Sequence, residues 1–200
     1  MFLRLLPLII FVACAFKPAA THHVPKPHII SKDEWGGKAP TNDIVEQQIS
    51  KITIHHGGVD VPEDKDPIEY MRNLQSFSID EKHWIDIPYH FCIDLDGAIY
   101  EARPLKYPGD TNTEYNPDGH ALICVIGNYE NQKIKPSQLD AIVNLSAWLA
   151  DKYNIPVTEI ASHKDYSTMT VCPGADLYKY LQDGTIVKRV QEILDKSKQE

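Results

Sequence analysis

A surplus of positive charge is missing from this sequence. Its 28 acidic side chains face 20 Lys and Arg, for a formal charge of −8, and the basic residues are spread along the chain without a cluster. Proteins that neutralise a phosphate backbone concentrate positive charge in a stripe, so nucleic acid is excluded as the main partner. Long apolar runs are missing too. The longest, Leu5 to Ala13, is well short of the roughly 20 residues that cross a bilayer. No internal repeat or low-complexity tract is present. Cysteine is scarce: beyond Cys14 there are only Cys92, Cys124 and Cys172. An odd number cannot pair internally, so in an exported chain one of them is free or on a metal.

What remains is the composition of an ordinary soluble domain, 42% apolar and 24% charged over 200 residues, enough for one real core. The first residues stand apart. "MFLRLLPLIIFVACA" carries one positive charge, Arg4, before its apolar run, the pattern of an export leader. The run ends in Phe11-Val12-Ala13-Cys14, which resembles a bacterial lipoprotein box with Phe in place of the usual Leu. On that reading Cys14 is lipidated and anchors the chain to a membrane; cleavage near Ala20 by an ordinary signal peptidase is the alternative. Residues 1–20 are thus assigned to the leader and the start of a tether, 21–28 to a Pro/His-rich linker, and 29–200 to the folded domain. Within "FKPAATHHVPKPH" the His22-His23 pair reads as tether.

The domain opens with "ISKDEWGGKAP", a capped lead-in. "KITIHH" reads as a strand ending in a Gly57-Gly58 loop. Asp66-Pro67-Ile68-Glu69 combines an N-cap, a first-turn proline and an acidic third position, predicting a helix to about Lys82 with Ile68, Met71 and Leu74 inward. "YHFCIDLDGAIYEAR" predicts a hairpin turning at Asp96-Gly97. "HALICVIG" is apolar on both faces, as in a central strand. A helix opens at Pro136, with Leu139, Ile142, Val143, Leu149, Ala150 and Tyr153 on one face. A last helix is expected from about Ile186 to Lys196. Strands and helices interleave, so the class is α/β, a single mixed sheet flanked by helices.

The chemistry concentrates in "ASHKDYSTMTVCPGADLY", which sets His163 and Cys172 on a loop. Imidazole and thiolate are zinc-type ligands. His55, at the tip of a β-branched run, is a candidate third, although histidine at a strand end is also an ordinary polar residue. Two imidazoles, one thiolate and an open fourth position describe a catalytic zinc, not a structural one.

Four motifs in order, "SKDEWGG", "ITIHH", "WIDIPYHFCIDLDGAIYEARP" and "SHKDYSTMTVCPGADLY", resemble the N-acetylmuramoyl-L-alanine amidase family that includes peptidoglycan recognition proteins and phage lysozyme-type amidases. The resemblance spans about residues 28–182. It implies the fold of those proteins, Zn2+ held by His55, His163 and Cys172, and a peptidoglycan or muropeptide substrate. It implies hydrolysis of the bond between N-acetylmuramic acid and L-alanine, with Tyr89 and Thr170 catalytic. His56 is left as a neighbour. Eight residues separate His163 from Cys172, one more than is common in the family, so Thr168 is an alternative to Thr170. Family members that serve as receptors without zinc typically lack the Cys ligand, which this chain keeps.

Other residues carry lighter expectations. Trp84 is a groove aromatic, while Trp35 and Trp148 are core or groove. Arg103 holds a substrate carboxylate or forms a surface salt bridge. His83, His90 and His120 are hairpin or loop polar residues. Cys92 and Cys124 are buried thiols or a cross-strand disulfide. The protein is expected to be a monomer, exported to the periplasm, an outer membrane or beyond.

Overall fold

The structure is a computed structural model that describes residues 24–199. The leader, Cys14 and the His22-His23 pair lie outside the described residues. Among the described residues no helix is long and apolar enough to cross a membrane.

One six-stranded sheet organises the chain: β1 (Ile29–Ile30), β2 (Lys51–His56), β3 (Phe91–Ile93), β4 (Ile99–Glu101), β5 (His120–Val125) and β6 (Ile160–Ser162), in the order β1-β4-β3-β5-β2-β6. Only β3 and β4 pair antiparallel, as the Asp96-Gly97 hairpin. Asp94 Oδ1 accepts the N–H groups of Asp96 and Ala98, and Gly97 takes φ +91 where a Cβ would meet the Ser137 backbone. The neighbouring pairs are parallel, and the central β5 is buried at every position, as its apolar run requires.

Alternation sends β2 residues to two different layers. Ile52 and Ile54 join Phe91, Ile93, Ile123 and Val125 against the helices α2 (Pro136–Tyr153) and α5 (Thr185–Ser197). Thr53 and His55 face the other side, where Cys92, Cys124 and Ile126 pack with Trp35 and with Met71 of α1 (Pro67–Ser76). The strand thus delivers His55 to one face at the carboxyl end of the parallel strands, where open α/β sheets commonly bind ligands.

Several boundaries depart from the sequence pattern. Asp66 caps α1 as expected, accepting from the N–H groups of Ile68 and Glu69. The α-helix then stops at Ser76, and a π-helical turn carries the chain from Phe77 to Glu81. His163 is not on a loop but opens a one-turn helix, α3 (His163–Tyr166). A further helix, α4 (Ala175–Gln182), was not expected, and the last helix runs 185–197 against a forecast of 186–196.

Candidate metal centre

Three segments far apart in sequence meet at the end of β2. Ser162 and Asp165 form a reciprocal cap that fixes the first turn of α3, with Asp165 Oδ2 accepting from the Ser162 N–H and hydroxyl; His163 is thereby held at the start of that turn. Asp165 also accepts from the Tyr178 hydroxyl, so its carboxylate is occupied as a cap. Cys172 arrives on the following loop. The Lys164 N–H bonds the Cys172 carbonyl at 2.9 Å, and Thr170 Oγ1 accepts the Cys172 N–H at 3.0 Å. Beyond it Gly174, at φ +88, passes so close to Tyr129 that a Cβ would lie 2.4 Å from that backbone. Only glycine fits both the angle and the gap.

One ligand atom from each of His55, His163 and Cys172 lies within 4.8 Å of the others. The Cys172 Sγ is 3.6 Å from His55 Nδ1, and the rings of His55 and His163 are 4.7 Å apart. Tetrahedral zinc, with Zn–S of about 2.3 Å and Zn–N of about 2.0 Å, requires a sulfur–nitrogen separation of about 3.6 Å. The far nitrogens are already held. His55 Nε2 lies 3.3 Å from the Tyr115 hydroxyl, and His163 Nε2 lies 2.7 Å from Thr113 Oγ1. That leaves Nδ1 on each ring for a metal, with its orientation set from behind.

Electrostatics point the same way. Burial, with the neighbouring His163, His56, His120 and His90 adding to it, holds His55 well below the usual imidazole range. Burial likewise pushes His163 down to about 4, against the pull of Glu114. Both rings are therefore neutral ligands at physiological pH. Burial pushes the Cys172 thiol up to about 12, countered by the His56 N–H that points at its sulfur from 3.3 Å. A dication at this point would take the thiolate and reverse that preference. The donor set fits zinc.

The cluster borders a cleft of about 430 Å3 whose walls include Tyr70, Phe77, Trp84, Tyr89, Thr111 and Met169. The Tyr89 ring stands 5.2 Å from His55, and burial raises its hydroxyl well above the ordinary phenol range, so it remains a proton donor. Thr170 lines the cleft and Thr168 does not. Trp84 lines it as well.

Arg103 is not brought there. Its side chain is buried, and its guanidinium donates to the carbonyls of Ile87, Asp86 and Pro108 and to the Asp110 carboxylate. Its donors are engaged in tying the 103–110 loop to residues 86–87, and its side chain does not line the cleft. Cys92 and Cys124 are register partners, fully buried, and remain free thiols. His90 is a satisfied core histidine, with Nδ1 accepting from Leu122 N–H and Nε2 donating to Tyr107 O. His120 pairs with Thr53 Oγ1 at 2.7 Å. Trp35 is core, and Trp148 meets Phe91 edge-on on the opposite face of the sheet.

Sequence reasoning missed Thr111, Thr113 and Tyr115. Tyr115 touches both ligand rings, at 6.4 Å from His55 and 5.0 Å from His163, and stacks on Tyr166 at 5.7 Å.

Comparison with known proteins gives a consistent set of likenesses. The family model described as N-acetylmuramoyl-L-alanine amidase matches residues 45–175. Peptidoglycan-recognition protein SD of Drosophila simulans is 31% identical over 163 residues, covering 77% of this chain and 84% of that protein. The crystal structure of the Drosophila peptidoglycan recognition protein SD superposes with a TM-score of 0.69 at 29% identity, over 79% of this chain and 94% of the other. The N-acetylmuramoyl-L-alanine amidase LysC from Clostridium intestinale superposes with a TM-score of 0.62 at 25% identity, over 76% and 91%.

Proposed function

The chain belongs to the N-acetylmuramoyl-L-alanine amidase family, and from that premise we propose that it is a zinc amidase. Its substrate is peptidoglycan or a muropeptide, and the bond hydrolysed joins the lactyl group of N-acetylmuramic acid to L-alanine. The observation that carries this reading is the His55–His163–Cys172 cluster, complete in all three ligands, beside an open cleft. The relatives include proteins named for recognition as well as for cleavage, and the complete ligand set favours cleavage.

Zinc held by these three residues, with its fourth position open, would supply Lewis acidity toward the amide carbonyl and lower the pKa of an attacking water. The chain's own residues do the rest. Tyr89, protonated beside His55, donates to the carbonyl oxygen as negative charge develops on it. Thr170, seated on the Cys172 N–H, holds the loop at the cleft wall and offers its hydroxyl to the same carbonyl. Trp84 shelves the substrate, and Thr113 and Tyr115 keep both imidazoles aimed at the metal.

The leader makes this an exported protein, anchored through lipid on Cys14 and acting as a monomer, with residues 29–200 as the amidase domain. Purified protein is assayed for zinc by elemental analysis and for release of free peptide from digested sacculi by mass spectrometry. About one zinc per chain together with lactyl-amide cleavage is the expected result. Binding of muropeptides without cleavage by the zinc-loaded protein would assign it instead as a receptor.

A further inference from the structure

On the α2 side of the sheet, away from the metal cluster, lies a second cavity of about 320 Å3. Its walls hold Lys26, Lys106, Lys152 and Arg103 against a single carboxylate, Glu101. In a chain of formal charge −8 that is a local reversal of sign. Two of these cations are already answered, Arg103 by Asp110 and Lys106 by Glu46 at 3.1 Å, and Glu101 is occupied by the Lys32 N–H. Lys26 and Lys152 form no ion pair among the described residues. Their ammonium groups stand over the same indole, Trp148, at 5.6 and 4.8 Å from its ring centre. Lys152 also lies 5.2 Å from the ring of Tyr153.

Two like charges gathered on one ring repel, and an anion set against both removes that cost. The residue types say which anion. Both lysines are exposed, while Trp148 and Tyr153 are half-buried. Indole and phenol rings flanked by lysines are the side chains of a membrane–water interface, where the rings lie among the headgroups and the ammonium groups reach the phosphates.

The chain enters the folded domain at the same place. Val24 is buried, and its N–H bonds Asp151 Oδ2 at 3.1 Å, beside Lys152 and two residues before Lys26. Cys14 precedes Val24 by ten residues, which reach at most about 35 Å when extended. A lipid on Cys14 would keep this face within that distance of a bilayer. His55 faces the other side of the sheet, so the metal cluster would then open away from the membrane. A basic surface beside an anchor settles which side of a protein turns toward anionic lipid.

We propose that this face is a membrane-docking surface on which Lys26 and Lys152 receive the phosphates of anionic phospholipid headgroups, with Trp148 and Tyr153 at the membrane–water interface. It goes beyond the amidase reading and does not depend on it. The anchor on Cys14 contributes nearness to the bilayer, and the surface contributes orientation.

Every strand, helix and core residue of the described structure lies within residues 24–199, so a chain starting at Thr21 keeps the fold and carries neither leader nor Cys14. Its binding is measured by sedimentation with vesicles of phosphatidylcholine alone and of phosphatidylcholine mixed equally with phosphatidylglycerol. The wild type should bind the anionic vesicles, leave the neutral ones, and release in about 1 M salt. Each lysine near such a surface contributes about fivefold, so Lys26→Gln combined with Lys152→Gln should weaken binding by about 25-fold. The paired Arg variants should keep it, and Lys38→Gln combined with Lys164→Gln, an equal loss of charge elsewhere, should change it little. Zinc content and cleavage of soluble muropeptides should be the same in wild type and in the Lys26/Lys152 variants. Equal binding to both vesicles, binding to neither, or a Lys26/Lys152 Gln pair that binds as the wild type does would overturn the proposal. So would calorimetric binding of inorganic phosphate without binding of vesicles. If labelled fatty acid fails to enter the full chain, the anchor on Cys14 falls while the vesicle ratio still decides the docking surface.

Discussion

Thr113 Oγ1 lies 2.7 Å from Nε2 of His163, and the Tyr115 hydroxyl meets His55 Nε2 from the same loop at 3.3 Å. One short segment therefore orients two metal ligands that come from different elements, β2 and α3. Such outer partners commonly account for 10- to 100-fold in metal affinity. Thr113→Val and Tyr115→Phe are each expected to weaken zinc binding by about that much, read by competition with a chelator. Thr113→Ser, which keeps the hydroxyl, should bind as the wild type does. Undiminished affinity in both variants would show that the imidazoles are oriented by packing alone.

Arg103 sits in the opposite situation, a charged residue that supports the fold without meeting the cleft. Arg103→Ala strands three carbonyls and frees the Asp110 carboxylate. A loss of about 3 kcal/mol in urea unfolding follows from leaving such groups unpaired. A variant of wild-type stability with only a raised KM would return Arg103 to the substrate.

How far the sequence announced all this depends on the kind of signal. His55, His163 and Cys172 were legible because their chemistry is written in residue type, and β2 because its β-branched run is local. The central strand and α2 were legible from apolar periodicity. The burial of Arg103 was not legible, since arginine is seldom buried unless paired and its partners are mostly backbone carbonyls that no sequence displays. Thr113 and Tyr115 lie on a stretch with no periodicity, and only the closed fold sets them 50 and 60 residues from the histidines they hold. α4 escaped because its apolar contacts, Leu177, Tyr180 and Leu181, span little more than one turn behind a glycine with no capping side chain.

Acid should destabilise the metal-free protein in a defined window. Burial holds His90 and His120 down to about 4 from an ordinary 6.5. The unfolded chain then binds more protons than the folded one between those values, so stability is full above about pH 6.5 and falls toward pH 4. Each such proton steepens the slope by up to about 1.4 kcal/mol per pH unit. The urea midpoint of chelator-treated protein, followed from pH 7 to 4, should drop throughout that interval. A flat profile would mean that the two rings are charged in the folded state.

Tyr89→Phe isolates one hydroxyl. The ring packing against His55 is retained, so zinc content should be unchanged. Removing one donor to a developing oxyanion costs about 10²-fold or more in kcat. Wild-type turnover would reassign Tyr89 to packing.

Cys172→Ser separates cleavage from recognition at a single atom. Sulfur at this position accepts the His56 N–H at 3.3 Å and lies 3.6 Å from His55 Nδ1, and a serine oxygen can keep the first of these contacts. It cannot replace the thiolate, because a hydroxyl stays protonated near neutral pH where a metal-bound thiol does not. Zinc affinity should fall steeply and amidase activity with it. The walls of the cleft are another matter. Phe77, Lys82 and Trp84 are set by the π-helical turn and the left-handed His83, neither of which contains a metal ligand. The variant is therefore expected to stay folded and to bind muropeptides with modestly lower affinity, giving calorimetric binding without release of peptide. Full activity in the variant would mean that Cys172 is not a ligand. Loss of binding together with activity would mean that the metal, and not the cleft wall, holds the substrate.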